Sequence, residues 1–204
     1  MKKKKRLKNW VIFTILLTFI ITGAAFGYYH FIYSQNNIVE YNVDGLSIQH
    51  QFLTVNPYSR SGKKLGRIKG IVVHYTANPG STAKNNRNYF ESLKDKHTTS
   101  VSSHFIIGLK GEIIQCIPLN EIAYASNNRN KDTISIECCH PDKSGQFNAL
   151  TYQSLQKLVS SLMDTYHLDK EEVIRHYDVT GKICPKYFVD HPDAWKKFLN
   201  SLEK

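Results

Sequence analysis

The 204-residue sequence contains no Cys-x-x-Cys pair, no His-Glu-x-x-His segment and no internal repeat. The missing His-Glu-x-x-His disfavours a helix-borne zinc peptidase. Four cysteines, Cys116, Cys138, Cys139 and Cys184, are too few and too irregularly placed to suggest a disulfide framework. Cys138 and Cys139 are adjacent, so on a strand they would point to opposite faces and make poor partners for each other. No basic stripe interleaved with aromatics appears, which argues against nucleic acid as a partner. Residues 10–33 lack Asp, Glu, Lys and Arg altogether.

What is present at the N-terminus gives that last absence its meaning. Six basic residues, Lys2, Lys3, Lys4, Lys5, Arg6 and Lys8, crowd into positions 1–9 without an acid. They account for much of the formal net charge of +10, and the remainder of the chain is only mildly basic, as suits an anionic polymer surface. At about 1.5 Å per residue, the stretch 10–33 can cross a hydrocarbon core of about 30 Å. Tyr28, Tyr29 and Tyr33 sit at its far end, where aromatic rings favour the interface. The sequence thus predicts a basic cytoplasmic tail (1–9), a transmembrane anchor (10–33), a linker and lead-in arm (34–67) and an extracytoplasmic domain (68–204). A cleaved signal peptide ending near Gly23-Ala24-Ala25 is the alternative, and it too exports the domain.

Within 68–204 the pattern is that of an α/β domain: a central mixed sheet flanked by helices. The β-branched run 70–77 (GIVVHYTA) reads as a strand and 81–96 as a helix. The runs 104–109 and 112–117 flank Lys110-Gly111 as a hairpin, and 133–138 (TISIEC) alternates as a further strand. Thr151 reads as the cap of a helix whose apolar positions Tyr152, Leu155, Leu158, Val159, Leu162, Met163 and Tyr166 recur every three or four residues. A short strand, 173–175, leads into His176, and a last helix begins near Asp193.

Three residues have the chemistry of metal ligands: His74 on the first of these strands, and His176 and Cys184 in the segment HYDVTGKICP. Zinc accepts imidazole nitrogen and thiolate sulfur, and a catalytic zinc site uses three protein ligands plus water. Spacing alone leaves open a core histidine and a buried apolar cysteine. His140 reads as a loop residue before Pro141, and His97 and His191 as surface residues. His104 is open between pocket lining and core, and Tyr75, Asn127 and Asn128 are possible groove residues.

The segments IVVHYTANPGS, SSHFIIGLKGEIIQCIP, TISIECC and RHYDVTGKICP resemble the type 2 N-acetylmuramoyl-L-alanine amidases, over about residues 56–197. That family includes phage lysozyme-type amidases, cytoplasmic anhydromuropeptide amidases and animal peptidoglycan recognition proteins. The resemblance implies one zinc ion held by His74, His176 and Cys184, with Lys182 steadying developing charge. It implies peptidoglycan as the partner and hydrolysis of the amide between N-acetylmuramic acid and L-alanine as the activity. One family variant places a catalytic tyrosine before the second-strand histidine; here that position is Ser103. The other variant uses a glutamate ending the S-I-x-I-E-like strand, which makes Glu137 the candidate base. Some relatives bind peptidoglycan without cutting it. They typically lack the cysteine ligand, which is present here as Cys184.

Overall fold

The computed structural model describes residue 18 and residues 22–25, 39–43 and 45–202. The chain divides into two compact units, 1–38 and 39–204. The tail 1–9 and most of the stretch 10–33 lie outside the described residues, although Thr18 and residues 22–25 are helical. Among the described residues no helix is long and apolar enough to cross a membrane.

The second unit is built on a seven-stranded mixed sheet: β1 (Val39–Val43), β2 (Leu46–His50), β3 (Ile71–Tyr75), β4 (Phe105–Ile107), β5 (Ile113–Gln115), β6 (Ile134–Cys138) and β7 (Val173–Arg175). Their spatial order is β1-β2-β5-β4-β6-β3-β7. β4, β6, β3 and β7 run parallel to their neighbours in turn, whereas β1–β2 and β4–β5 are antiparallel hairpins. The helices are α1 (Ala83–Lys96), α2 (Ala149–Tyr166), α3 (His176–Thr180), α4 (Lys186–Asp190) and α5 (Pro192–Asn200).

Strand alternation sorts the core into two faces. Ile71, Val73, Phe105, Ile107, Ile134 and Ile136 pack with Leu155, Leu158, Val159 and Leu162 of α2 and with Phe198 of α5. Ile106, Ile114 and Cys139 point the other way and pack with Ala83 and Phe90 of α1. Cys138 and Cys139 fall on opposite faces, and all four cysteines are free. Each fully buried branched side chain contributes about 1.5–3 kcal/mol, so this two-sided burial makes the parallel strands a rigid base.

Segment 34–67, read from the sequence as linker and lead-in arm, contains β1 and β2. β2 pairs in parallel with β5, and Leu46, Ile48 and Leu53 are buried. The folded unit therefore begins at Val39 rather than near Ile68. The signal was Asp44-Gly45 between two alternating runs, a strong mark of a two-residue hairpin turn; Gly45 takes the positive φ of 76° that such a turn needs. The α2 cap also differs. Asn148 is the N-cap, accepting from the Thr151 amide at 2.9 Å, while the Thr151 hydroxyl donates to the Gly108 carbonyl. The hairpin at Lys110-Gly111 forms as the sequence suggests, with Gly111 at φ 78°.

Candidate active site

The site forms where parallel strands end. Strand register puts His74 beside Glu137, and Val73 beside Arg175, the residue before His176. One level across β6, β3 and β7 thus presents Glu137, His74 and His176 at the strands' carboxyl ends, where open α/β sheets typically bind ligands. After α3 the chain turns at Gly181, which is left-handed at φ 77°. It returns so that the Tyr177 amide donates to the Cys184 carbonyl at 2.8 Å, bringing Cys184 back to His176. The Arg175 guanidinium braces this return. It pairs with Asp178 at 2.7 Å, donates to the Phe188 carbonyl, and lies over the Tyr177 and Trp195 rings.

The ligand-capable atoms of His74, His176 and Cys184 all lie within 4.8 Å of one another, and all three residues are buried. His74 Nδ1 is 3.8 Å from Cys184 Sγ and 4.0 Å from Glu137 Oε1, and the two imidazole rings are 4.6 Å apart. The outer nitrogens are engaged elsewhere: His74 Nε2 lies 3.1 Å from Ser126 Oγ, and His176 Nε2 lies 3.1 Å from Asn127 Oδ1.

The electrostatics favour a cation among these groups. Burial, then His176 and Lys182, lowers the basicity of His74 well below the ordinary value, and burial and Lys182 lower that of His176. Neutral imidazoles are what a metal needs. The Cys184 thiol is pushed up to about 12 by burial and by Glu137, against the opposing pull of the Tyr75 amide and Lys182. Burial pushes Glu137 up to about 8 despite Lys182. Glu137 Oε2 is also buried without a hydrogen-bond partner. Two imidazoles and a thiol whose ligand atoms lie within 4.8 Å of one another, with Glu137 Oε1 4.0 Å from His74 Nδ1, fit a zinc ion, whose charge would stabilise thiolate and carboxylate together.

Lys182 is exposed and the segment 181–184 is not a strand, so it does not share a buried face with Cys184 as an extended chain would allow. Its charge nevertheless reaches His74, His176, Glu137 and Cys184. His140 is a loop residue but a buried one, under the Tyr75 ring at 5.1 Å. His97 and His191 are exposed. Ser126 carried no signal of its own in the sequence, and Asn127 is placed by a turn rather than by a pattern. A concavity of about 700 Å³ lined by Leu65, Arg67, Leu119 and Tyr166 contains none of these groups.

His104 belongs to the scaffold. The Ser135 amide donates to its Nδ1 at 3.0 Å, so the proton sits on Nε2 and is donated to the Glu121 carbonyl at 3.0 Å. Burial lowers its pKa to about 4 from 6.5. Between those values the unfolded chain takes up a proton that the folded chain refuses. The contribution of His104 to stability is therefore intact above pH 6.5, falls by about 3 kcal/mol as pH drops to 4, and then levels. Urea unfolding across that range should show a shallower acid loss in His104→Gln than in the native chain; parallel profiles would remove His104 from the acid response.

A family model described as N-acetylmuramoyl-L-alanine amidase matches residues 64–187. The chain is 38% identical over 172 residues to the N-acetylmuramoyl-L-alanine amidase CwlL of Bacillus licheniformis, covering 78% of this chain and 47% of that protein. It is 33% identical over 175 residues to BlyA, an N-acetylmuramoyl-L-alanine amidase of Bacillus subtilis (strain 168), covering 76% of this chain and 46% of BlyA. The chain thus spans about half the length of these relatives. A solved mutant endolysin from Bacillus subtilis superposes with a TM-score of 0.66 at 29% identity, covering 78% of this chain and 99% of that one.

Proposed function

The chain belongs to the N-acetylmuramoyl-L-alanine amidase family, and on that footing we propose that it hydrolyses the amide joining N-acetylmuramic acid to L-alanine in peptidoglycan, with one zinc ion held by His74, His176 and Cys184. The observation that carries this reading is the buried His74–His176–Cys184 cluster with Glu137 beside it at the strand ends. A zinc ion held there would supply Lewis acidity, lowering the pKa of water to about 7 and polarising the amide carbonyl.

The chain's own residues handle proton and charge. Glu137 takes a proton from the attacking water as the oxygen–carbon bond forms, and hands it to the alanine nitrogen as the carbon–nitrogen bond breaks. The products are a lactyl carboxylate on the sugar and a free alanine amine on the stem peptide. Lys182 steadies the carbonyl oxygen while it is negative. Incubation with purified peptidoglycan should release alanine amines in proportion to zinc content, at about one zinc per active chain. Binding without release would instead favour the second reading, a non-catalytic peptidoglycan-binding module, which the presence of Cys184 disfavours.

An ammonium is a poor zinc ligand, and among the described residues the exposed Lys182 side chain makes no hydrogen bond or ion pair, its backbone amide alone bonding to Thr180. Lys182→Met keeps the stem and deletes the charge. Turnover should fall about 10²–10³-fold with zinc retained, because oxyanion donors are worth about 2.7–4 kcal/mol in the transition state. If KM rises while kcat is untouched, Lys182 is a substrate-binding cation instead.

The basic tail 1–9 and charge-free stretch 10–33 support an anchor that holds the amidase unit on the outer side of the cell membrane, near its substrate. Protease added to intact wall-less cells should then remove that unit. Protection until lysis would reverse the topology, and a free form starting near residue 26 would support secretion after cleavage.

A further inference from the structure

We infer that the turn at Ser126–Asn127 is a clamp that positions both candidate zinc-binding imidazoles and thereby sets metal affinity, an inference that rests on the zinc reading above. Two consecutive residues reach two rings carried by different elements, His74 on β3 and His176 at the start of α3: Ser126 Oγ lies 3.1 Å from His74 Nε2, and Asn127 Oδ1 lies 3.1 Å from His176 Nε2. In an extended chain such neighbours would point to opposite sides. Here Asn127 is left-handed, at φ 52°, and this kink brings both side chains to the site. Asparagine tolerates that conformation better than other residues bearing a side chain.

The turn is held independently of any metal. Asn130 Oδ1 accepts from the amides of Ala125 and Ser126, the Arg129 amide donates to the Ser126 carbonyl, and Thr133 Oγ1 donates to the Arg129 carbonyl. An ion pair of 2.8 Å between Arg129 and Asp132 closes its far side. Ser126 itself is buried.

The chemistry gives this contact its consequence. An imidazole binds a metal through one nitrogen, and the partner of the other nitrogen fixes tautomer and ring direction. An amide oxygen can only accept, so Asn127 Oδ1 holds the His176 proton on Nε2 and leaves Nδ1 with the free lone pair. Ser126 Oγ lies against His74 Nε2 and directs the ring, its hydroxyl being able to accept from that nitrogen, while His74 Nδ1 is the nitrogen that faces Cys184 and Glu137. Ser126 and Asn127 are therefore positioning residues, acting through the rings and not on the substrate.

The test separates side chain from backbone. Asn127→Gly keeps the left-handed turn and deletes the amide, Asn127→Asp keeps the acceptor, and Ser126→Ala deletes the hydroxyl. Zinc affinity of the full chain is measured by competition with a chromogenic chelator, and thermal unfolding is followed on the metal-free protein. Asn127→Gly and Ser126→Ala should each weaken zinc binding about 10–100-fold, Asn127→Asp should recover most of it, and metal-free stability should change little. Native zinc affinity in both deletion variants would overturn the clamp, as would losses that track metal-free stability and are not recovered by Asn127→Asp. Failure of the unsubstituted chain to bind zinc would overturn the underlying zinc reading, a result distinct from either.

Discussion

Replacing Glu137 by Gln will lower turnover on peptidoglycan by about 10²–10⁴-fold and leave zinc bound. The substitution keeps size and hydrogen-bonding capacity but removes the proton acceptor. Glu137 sits on β6 level with His74 on β3, its Oε1 4.0 Å from His74 Nδ1 and its Oε2 buried without a partner. Leaving a buried carboxylate oxygen unsatisfied costs several kcal/mol, which a fold tolerates where a reacting group completes the set. The amide of glutamine is neutral and avoids part of that cost, so the variant should be at least as stable as the native chain by thermal unfolding. Near-normal turnover with zinc bound would take Glu137 out of the reaction.

The second large effect belongs to Cys184. Cys184→Ser replaces a soft thiolate by a hydroxyl that zinc binds poorly. Losing a direct ligand should cost more than the 10–100-fold typical of a partner one shell out. Zinc per chain should therefore fall well below about one, and turnover should fall with it. The fold should survive, because the return of the chain is held by the backbone bond from Tyr177 to Cys184 and by the Arg175 network, neither of which uses the sulfur. Elemental analysis beside circular dichroism separates metal loss from unfolding. Full zinc and full activity in Cys184→Ser would exclude it as a ligand.

How far the sequence could be read followed from the range of each interaction. The strands β3 and β6 and the helix α2 were legible from local composition and period: a continuous β-branched run in 71–75, apolar alternation in the sequence 134–138, and apolar residues every three or four positions in 149–166. The grouping of His74, His176 and Cys184 was legible as residue chemistry plus a family resemblance, and the structure brings the three within 4.8 Å. The hairpin 39–50 was missed although Asp44-Gly45 marks it, because its polar positions outweighed a buried alternation of Leu46, Ile48 and His50. α3 and α4, each of five residues, are too short to show a helical period. The roles of Ser126 and Asn127 depend on a left-handed turn meeting two rings distant in sequence, and no local pattern encodes that meeting. His104 could not be assigned until its two hydrogen bonds, to Ser135 and Glu121, placed it in the scaffold.

The most direct test is mass spectrometry of the fragments that the full chain releases from purified peptidoglycan, run beside Glu137→Gln. The expected products are stem peptides with a free L-alanine amine and glycan strands that keep their length and carry free lactyl carboxylates, both strongly reduced in the variant. New reducing sugar ends, cleavage inside the stem peptide, or retention on the polymer with no new amine from the zinc-loaded chain would contradict it.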